Sequence, residues 1–182
     1  VSSADLIQTS IAAWSDDARA KHSTAAARTT EIMADAFGLI RHRLASGLGV
    51  TEIEVQARIL DRFQEHGLEI PTGDGPIVAV NAHSGNPHFE LTKESSRPIV
   101  KGDWVLIDLW ARIPGDENIY SDITQTGCAG RPRDQQRRVF ETVRAARDAS
   151  LNCAKAAHAK GAPVQGWQLD QAGRDVIAGA GL

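Results

Sequence analysis

The sequence predicts an α+β fold, and three observations carry the assignment. Two segments near the start repeat apolar residues at helical spacing; the middle of the chain switches to short β-branched runs; helical spacing returns after Pro132. The order is long helix, short helix, strands, long helix, short helix. It describes one α/β half, followed by the opening helices of a second half. A chain of 182 residues is long enough for one domain, or for a large piece of one, with a substantial core.

Residues 1–18 have no clean period and read as an irregular lead-in. From about Ala20 to Ala45, Met33, Phe37, Ile40 and Leu44 form one helical stripe, stopped by Gly47 and Gly49. Thr51 then caps a second helix, with Glu54 placed to reach back in a capping box, and Val55, Ile59 and Phe63 make its buried face. Gly67 ends it. The run from Pro76 to Val80 reads as a buried strand, Trp104 to Ala111 as a second and Ile119 to Cys128 as a third. Between the last two, residues 113–118 have turn chemistry. Pro132 opens a long helix with Val139, Val143, Ala146, Ser150, Cys153 and Ala157 on one stripe, and Gly161 closes it. A short helix from about Trp167 to Ala178 has Asp170 near its start, where an acid suits the helix dipole. The resulting division is 1–18 lead-in, 19–130 first half, 131–182 start of a second half. Helices without strands would leave that second half unfinished, so the parent protein is expected to continue.

Composition excludes more than it selects. Apolar residues at 42% and charged residues at 24% are ordinary for a globular protein. A net charge of −3 gives no basic surplus for nucleic acid. No apolar run approaches the ~18 residues of a membrane span; the polar start at Val1 shows no signal peptide and is equally consistent with a processed or trimmed beginning. Cys128 and Cys153 lie far apart without a CxxC, which favours free thiols and a cytoplasmic location.

Asp108 and Asp122 are the informative residues, each inside an otherwise apolar strand. A turn centred near Gly115 sets the two directly opposite each other. Like charges so placed repel, and burying them costs several kcal/mol without compensation. Something positive must lie between them, or one must be protonated; a divalent cation, or a pair of them, removes both costs at once. The competing reading has both acids on edge strands facing solvent, and spacing alone weighs the two evenly, since a slip of one residue changes the face. His83 and His88 lie upstream. For His83 a surface loop position is the default, with the pocket as the alternative. Trp110 shares a face with Asp108 by strand alternation and is placed to wall a pocket. Trp14, Trp104 and Trp167 read as packing, and His22, His42, His66 and His158 as solvated.

Three segments resemble a known family. Gly102-Asp-Trp-Val-Leu-Ile-Asp108 followed by Tyr120-Ser-Asp122-Ile-Thr-Gln-Thr126 is similar to the "GDLVLID…YxSDITRT" signature of pita-bread metallopeptidases of the Xaa-Pro aminopeptidase and prolidase type. The segment from Asn81 to His88 resembles the family's "N…PH" stretch, and Asp170 with Arg174 resembles its scaffold helix "VDxxxRxVI". The resemblance implies a pita-bread fold and a metal-dependent exopeptidase that releases N-terminal residues from peptides, those with proline next included. Asp108 and Asp122 would be metal ligands, with Asp122 bridging. His88 would be the catalytic-site histidine that contacts the substrate, His83 and Trp110 would be neighbouring substrate-binding residues, and a homodimer is expected. The implied cofactor is a pair of divalent ions, Mn²⁺ or Co²⁺ first and Zn²⁺ or Fe²⁺ after them. Trp110 replaces a common Gly, Gln125 replaces a common Arg, and the spacer between the aspartates is longer than usual. The family's remaining ligands, one His and two Glu, fall beyond residue 182, so metal binding by this chain alone is expected to be weak or absent. The alternatives are a metal-independent creatinase-like hydrolase and a non-catalytic pita-bread binding module. Keeping both aspartates argues against each.

Overall fold

The computed structural model describes residues 7, 13–71, 73, 75–116 and 118–182. It divides into two compact units, 1–131 and 132–182. Most of the expected lead-in lies outside the described residues. Its end does not: α1 runs Asp16–Ala45, four residues earlier than the apolar stripe suggests. The cause is local. Ser15 is the N-cap, its Oγ accepting the Ala18 N–H at 3.1 Å, and Asp16 and Asp17 suit the first turn. A capped turn without large apolar residues leaves no periodic trace.

Met33 and Ile40 of the α1 stripe are buried, joined by Ala25, Thr29, Ile32 and Ala36, while Phe37 and Leu44 pack at the edge of the core. Gly47, at φ 69°, ends the helix: Leu48 N–H reaches back to Arg43 C=O at 2.9 Å. The second helix, α2 (Glu52–Glu65), has the expected capping box, with Thr51 N–H on Glu54 Oε2 at 2.8 Å. Its buried apolar face is Val55, Ile59 and Phe63 as expected.

Three antiparallel strands follow: β1 (Ile77–Val80), β2 (Trp104–Ala111) and β3 (Ser121–Cys128), in the order β1-β2-β3. In β2, Val105, Ile107, Leu109 and Ala111 are buried and join one core cluster with α1 and α2. Burying these apolar side chains stabilises the unit by about 25 cal/mol per Å² removed from water. A buried hydroxyl pair, Thr29 Oγ1 and Ser121 Oγ at 2.8 Å, fastens α1 to the start of β3. The other face of β2 presents Trp104, Leu106, Asp108 and Trp110, all half-buried. Alternation thus separates the packing residues from the candidate site residues.

In the second unit, α3 (Asp134–Ala159) packs on α4 (Gly166–Gly179). Contact is tight at Gly173, where an added Cβ would lie 2.9 Å from Ser150 Oγ and 3.4 Å from Ala146 C=O. Ser150 Oγ also donates to Leu169 C=O at 2.7 Å. The expected α3 stripe is buried only at Ala146; Cys153 is half-buried, and Val139 and Val143 are exposed. Trp167 is 68% exposed and Trp14 49%, so neither is a core residue. His22 is tied down rather than solvated, its Nδ1 3.1 Å from Tyr120 C=O. Both cysteines are free thiols. Among the described residues no helix is long and apolar enough to cross a membrane.

Candidate active site

The expectation that Asp108 and Asp122 face each other directly needs correction. Asp108 pairs with Thr124 and Asp122 pairs with Trp110, so the aspartates are diagonal neighbours. The turn is centred one residue later than expected, because the tip is fastened near Asn118. Asn118 Nδ2 donates to Pro114 C=O at 2.8 Å and to Ile113 C=O at 3.2 Å, and Asn118 N–H reaches Gly115 C=O. Arg112 holds the base of the tip through Glu69, with Nε to Oε1 at 2.7 Å. Moving the centre by one residue shifts the register by two, and a shift of two keeps both carboxylates on the same face.

That face forms one side of a cavity of about 600 Å³, lined by Asp108, Trp110, Asp122 and His88 with Phe89 and Gln56 among others. The carboxylates are not sealed in the core: Asp108 is half-buried and Asp122 exposed. Partial burial, and then the charge of Asp108, hold the Asp122 carboxyl above its ordinary value. Asp108 is itself fixed by Thr124, whose Oγ1 donates to Oδ1 at 2.5 Å. Thr124 was not identified from the sequence, although the correct register places it directly opposite Asp108.

His88 sits in the excursion between β1 and β2, its N–H bonded to Asn86 Oδ1 at 3.0 Å, and it lines the same cavity. Trp110 does also. His83 does neither of the things expected of it: it is absent from that lining, and it is not a free surface histidine. Its Nδ1 lies 2.9 Å from Glu52 Oε1, and its ring stacks on Phe89 with centroids 4.1 Å apart. Glu52 is fully buried and was missed, because an acid at a helix start reads as an ordinary dipole partner. Its Oε1 also accepts the Val80 N–H at 2.8 Å, and its Oε2 the Arg97 N–H at 2.7 Å. Asp170 and Arg174 form an exposed ion pair within α4.

Chemically, the cavity offers two carboxylates on one face, one of them hydrogen-bonded in place, with an imidazole and two aromatic walls. Among the described residues no three or more His, Cys, Asp or Glu side chains are grouped so that they could hold a metal ion.

Comparisons with known proteins show the family and the fold. The model of metallopeptidase family M24 matches residues 20–182. The Xaa-Pro dipeptidase of Pyrococcus horikoshii is 32% identical over 130 residues, covering 71% of this chain and 33% of the relative. Among solved structures, the X-Pro aminopeptidase of Thermotoga maritima superposes with a TM-score of 0.75 at 26% identity, covering 97% of this chain and 45% of that one. The X-prolyl aminopeptidase of Caenorhabditis elegans, described as a cytosolic enzyme with a di-nuclear active site, shares the fold with a TM-score of 0.76 at 21% identity, over 97% of this chain and 28% of that one. The chain spans about a third of the length of the curated relatives it matches. The architecture is part of the pita-bread fold, as the resemblance implied.

Proposed function

We propose that this chain, which belongs to metallopeptidase family M24, is part of the catalytic domain of a metal-dependent exopeptidase that releases the N-terminal residue from peptides, Xaa-Pro substrates among them. The observation that carries the reading is the shared cavity of Asp108, Asp122 and His88. The Xaa-Pro dipeptidases and aminopeptidases among its relatives support the substrate class.

The donor set suits divalent metal. Partial burial first, and the nearby charge of Asp108 after it, hold the Asp122 carboxyl above its ordinary value, and a hard cation between two oxygen-donor carboxylates offsets both costs. Asp108 and Asp122 would hold the ions, two in number as in the di-nuclear relative, with Mn²⁺ or Co²⁺ preferred. Two carboxylates make a partial ligand set; the histidine and two glutamates that the resemblance implies complete it in the longer protein. Bound ions of this kind supply water activation and carbonyl polarisation. The chain's own residues do the rest. Thr124 keeps Asp108 in one orientation. His88 donates a hydrogen bond to the substrate carbonyl oxygen, where charge develops during attack. Trp110 and Phe89 wall the cavity and limit the side chains it admits. Residues 19–130 form the first half of the domain and 131–182 open the second, in a cytoplasmic homodimer.

The test is hydrolysis of Xaa-Pro dipeptides and of longer peptides with proline second, by the protein carrying this chain at its relatives' length. Turnover should require Mn²⁺ or Co²⁺, stop on chelation and fall by at least about a hundredfold in Asp122→Ala. Undiminished turnover in Asp122→Ala would remove Asp122 from the site.

A further inference from the structure

We infer that Glu52 and His83 form a positioning pair that fixes the loop carrying His88. The inference rests on the reading above only for what His88 does; the positioning itself rests on contacts outside the cavity.

The segment between β1 and β2 leaves the sheet at Val80, carries His88 and returns past Arg97. One buried carboxylate ties both ends. Glu52 Oε1 accepts Val80 N–H at 2.8 Å, and Oε2 accepts Arg97 N–H at 2.7 Å. A third bond goes to the inside of the loop: Oε1 lies 2.9 Å from His83 Nδ1. A carboxylate only accepts, so His83 Nδ1 carries the proton. That bond orients the imidazole, whose face stacks on Phe89, ring centroids 4.1 Å apart and planes within 25°. Phe89 is the neighbour of His88 and lines the cavity beside it. The chain of contact therefore runs from α2 through Glu52, His83 and Phe89 to the turn that presents His88. That turn is closed by Phe89 N–H on Asn86 C=O at 3.1 Å and His88 N–H on Asn86 Oδ1 at 3.0 Å.

The rest of the loop has its own fastenings, which single out this contact as the one acting on His88. Asn81, at φ 51°, accepts Trp104 N–H through Oδ1 and donates to Asp103 through Nδ2, and this holds only the base beside β2. Ile53 N–H on Ser96 Oγ at 3.2 Å holds only the return. Leu91, beyond the turn, packs against the core; the side-chain hydrogen bond and ring contact through His83 tie the framework to Phe89 beside His88. A buried carboxylate that accepts three bonds from one loop restricts the arrangements open to that loop, and a substrate-contacting group gains from being held before substrate arrives. Neither Glu52 nor His83 touches the cavity contents, so their role is orientation rather than chemistry.

The test is residue-resolved amide exchange and the His88 imidazole resonance, recorded by NMR on this chain. His83→Ala removes bond and stack; His83→Phe keeps the stack without the Nδ1 donor; Glu52→Gln loses one acceptor. Exchange at His88 and Phe89 should rise about tenfold in His83→Ala, less in His83→Phe, with the His88 imidazole signal displaced in both. Ile107, in the core of β2, should change by less than about twofold. Glu52→Gln should speed the same two amides; if it does not fold, the His83 variants decide. Unchanged exchange at His88 and Phe89 in His83→Ala would overturn the inference, and so would a rise matched at Ile107, which would mark a merely structural residue. The readout needs no turnover. A loosened loop in a protein without peptidase activity overturns the proposed function and leaves the positioning pair standing.

Discussion

Replacing Glu52 with alanine removes the acceptor for three donors at once, and the cost can be worked from where each donor is left. Val80 is 3% exposed, so its N–H loses its partner without gaining water, a penalty of about 1–3 kcal/mol. Arg97 is exposed and His83 half-buried, so water replaces their bonds at a cost nearer 0.5–1 kcal/mol each, by rough estimate. The volume vacated by this fully buried side chain adds a cavity cost. Against these stands the desolvation of a fully buried carboxylate, which the substitution relieves. The net loss is about 2–4 kcal/mol. Glutamine keeps one carbonyl for Val80 and His83 but turns an NH₂ toward the Arg97 N–H, and should lose about 1–2 kcal/mol. Urea titration of both variants, followed by far-UV circular dichroism, measures the difference. A loss below about 0.5 kcal/mol in Glu52→Ala would refute the assignment of these bonds as stabilising.

Two further outcomes follow from particular contacts. Asp122 has a folded-state pKa raised above 3.8, so its ionisation opposes folding at neutral pH: the destabilisation is present above the folded pKa and disappears as pH falls below the unfolded value. Asp122→Asn should therefore stabilise the metal-free chain at pH 7 by a small amount, under about 1 kcal/mol for a solvent-accessible group, with the gain vanishing near pH 3; a gain that persists there would contradict the cause. Gly173→Ala places a methyl 2.9 Å from Ser150 Oγ, which is itself bonded to Leu169 C=O. Overpacking of about 1–3 kcal/mol exceeds the ~1 kcal/mol that Ala gains over Gly in a helix, so thermal unfolding of the 132–182 unit should come earlier; a higher melting temperature would show that α3 and α4 can part at no cost.

What was legible in the sequence followed from periodicity. Val55, Ile59 and Phe63 announce a buried helix face, and the Thr51–Glu54 box marks its start. Alternation in β2 places Asp108 and Trp110 together on the face away from Val105, Ile107 and Leu109. The register was not legible, because the turn centre depends on how Asn118 and Arg112 tie the tip, and composition cannot locate it. The shared face survived because the error was an even number of residues. Glu52 was invisible for a different reason: its burial comes from segments ending near residues 80 and 97, and no local pattern encodes that meeting. His83 inherited the same blindness, being a loop histidine until Glu52 and Phe89 are beside it. Val139 and Val143 keep helical spacing yet stay exposed, since spacing shows that a face is apolar and not what covers it.

The central claim is that Asp108 and Asp122 act jointly on a divalent cation. Paramagnetic broadening of amide signals by Mn²⁺ at millimolar concentration tests it on this chain even where binding is weak, because the effect reports position rather than affinity. The broadening should centre on Asp108, Trp110, Asp122 and Thr124 and disappear in Asp122→Ala. Broadening centred elsewhere, or unchanged at these four residues in Asp122→Ala, would contradict the account.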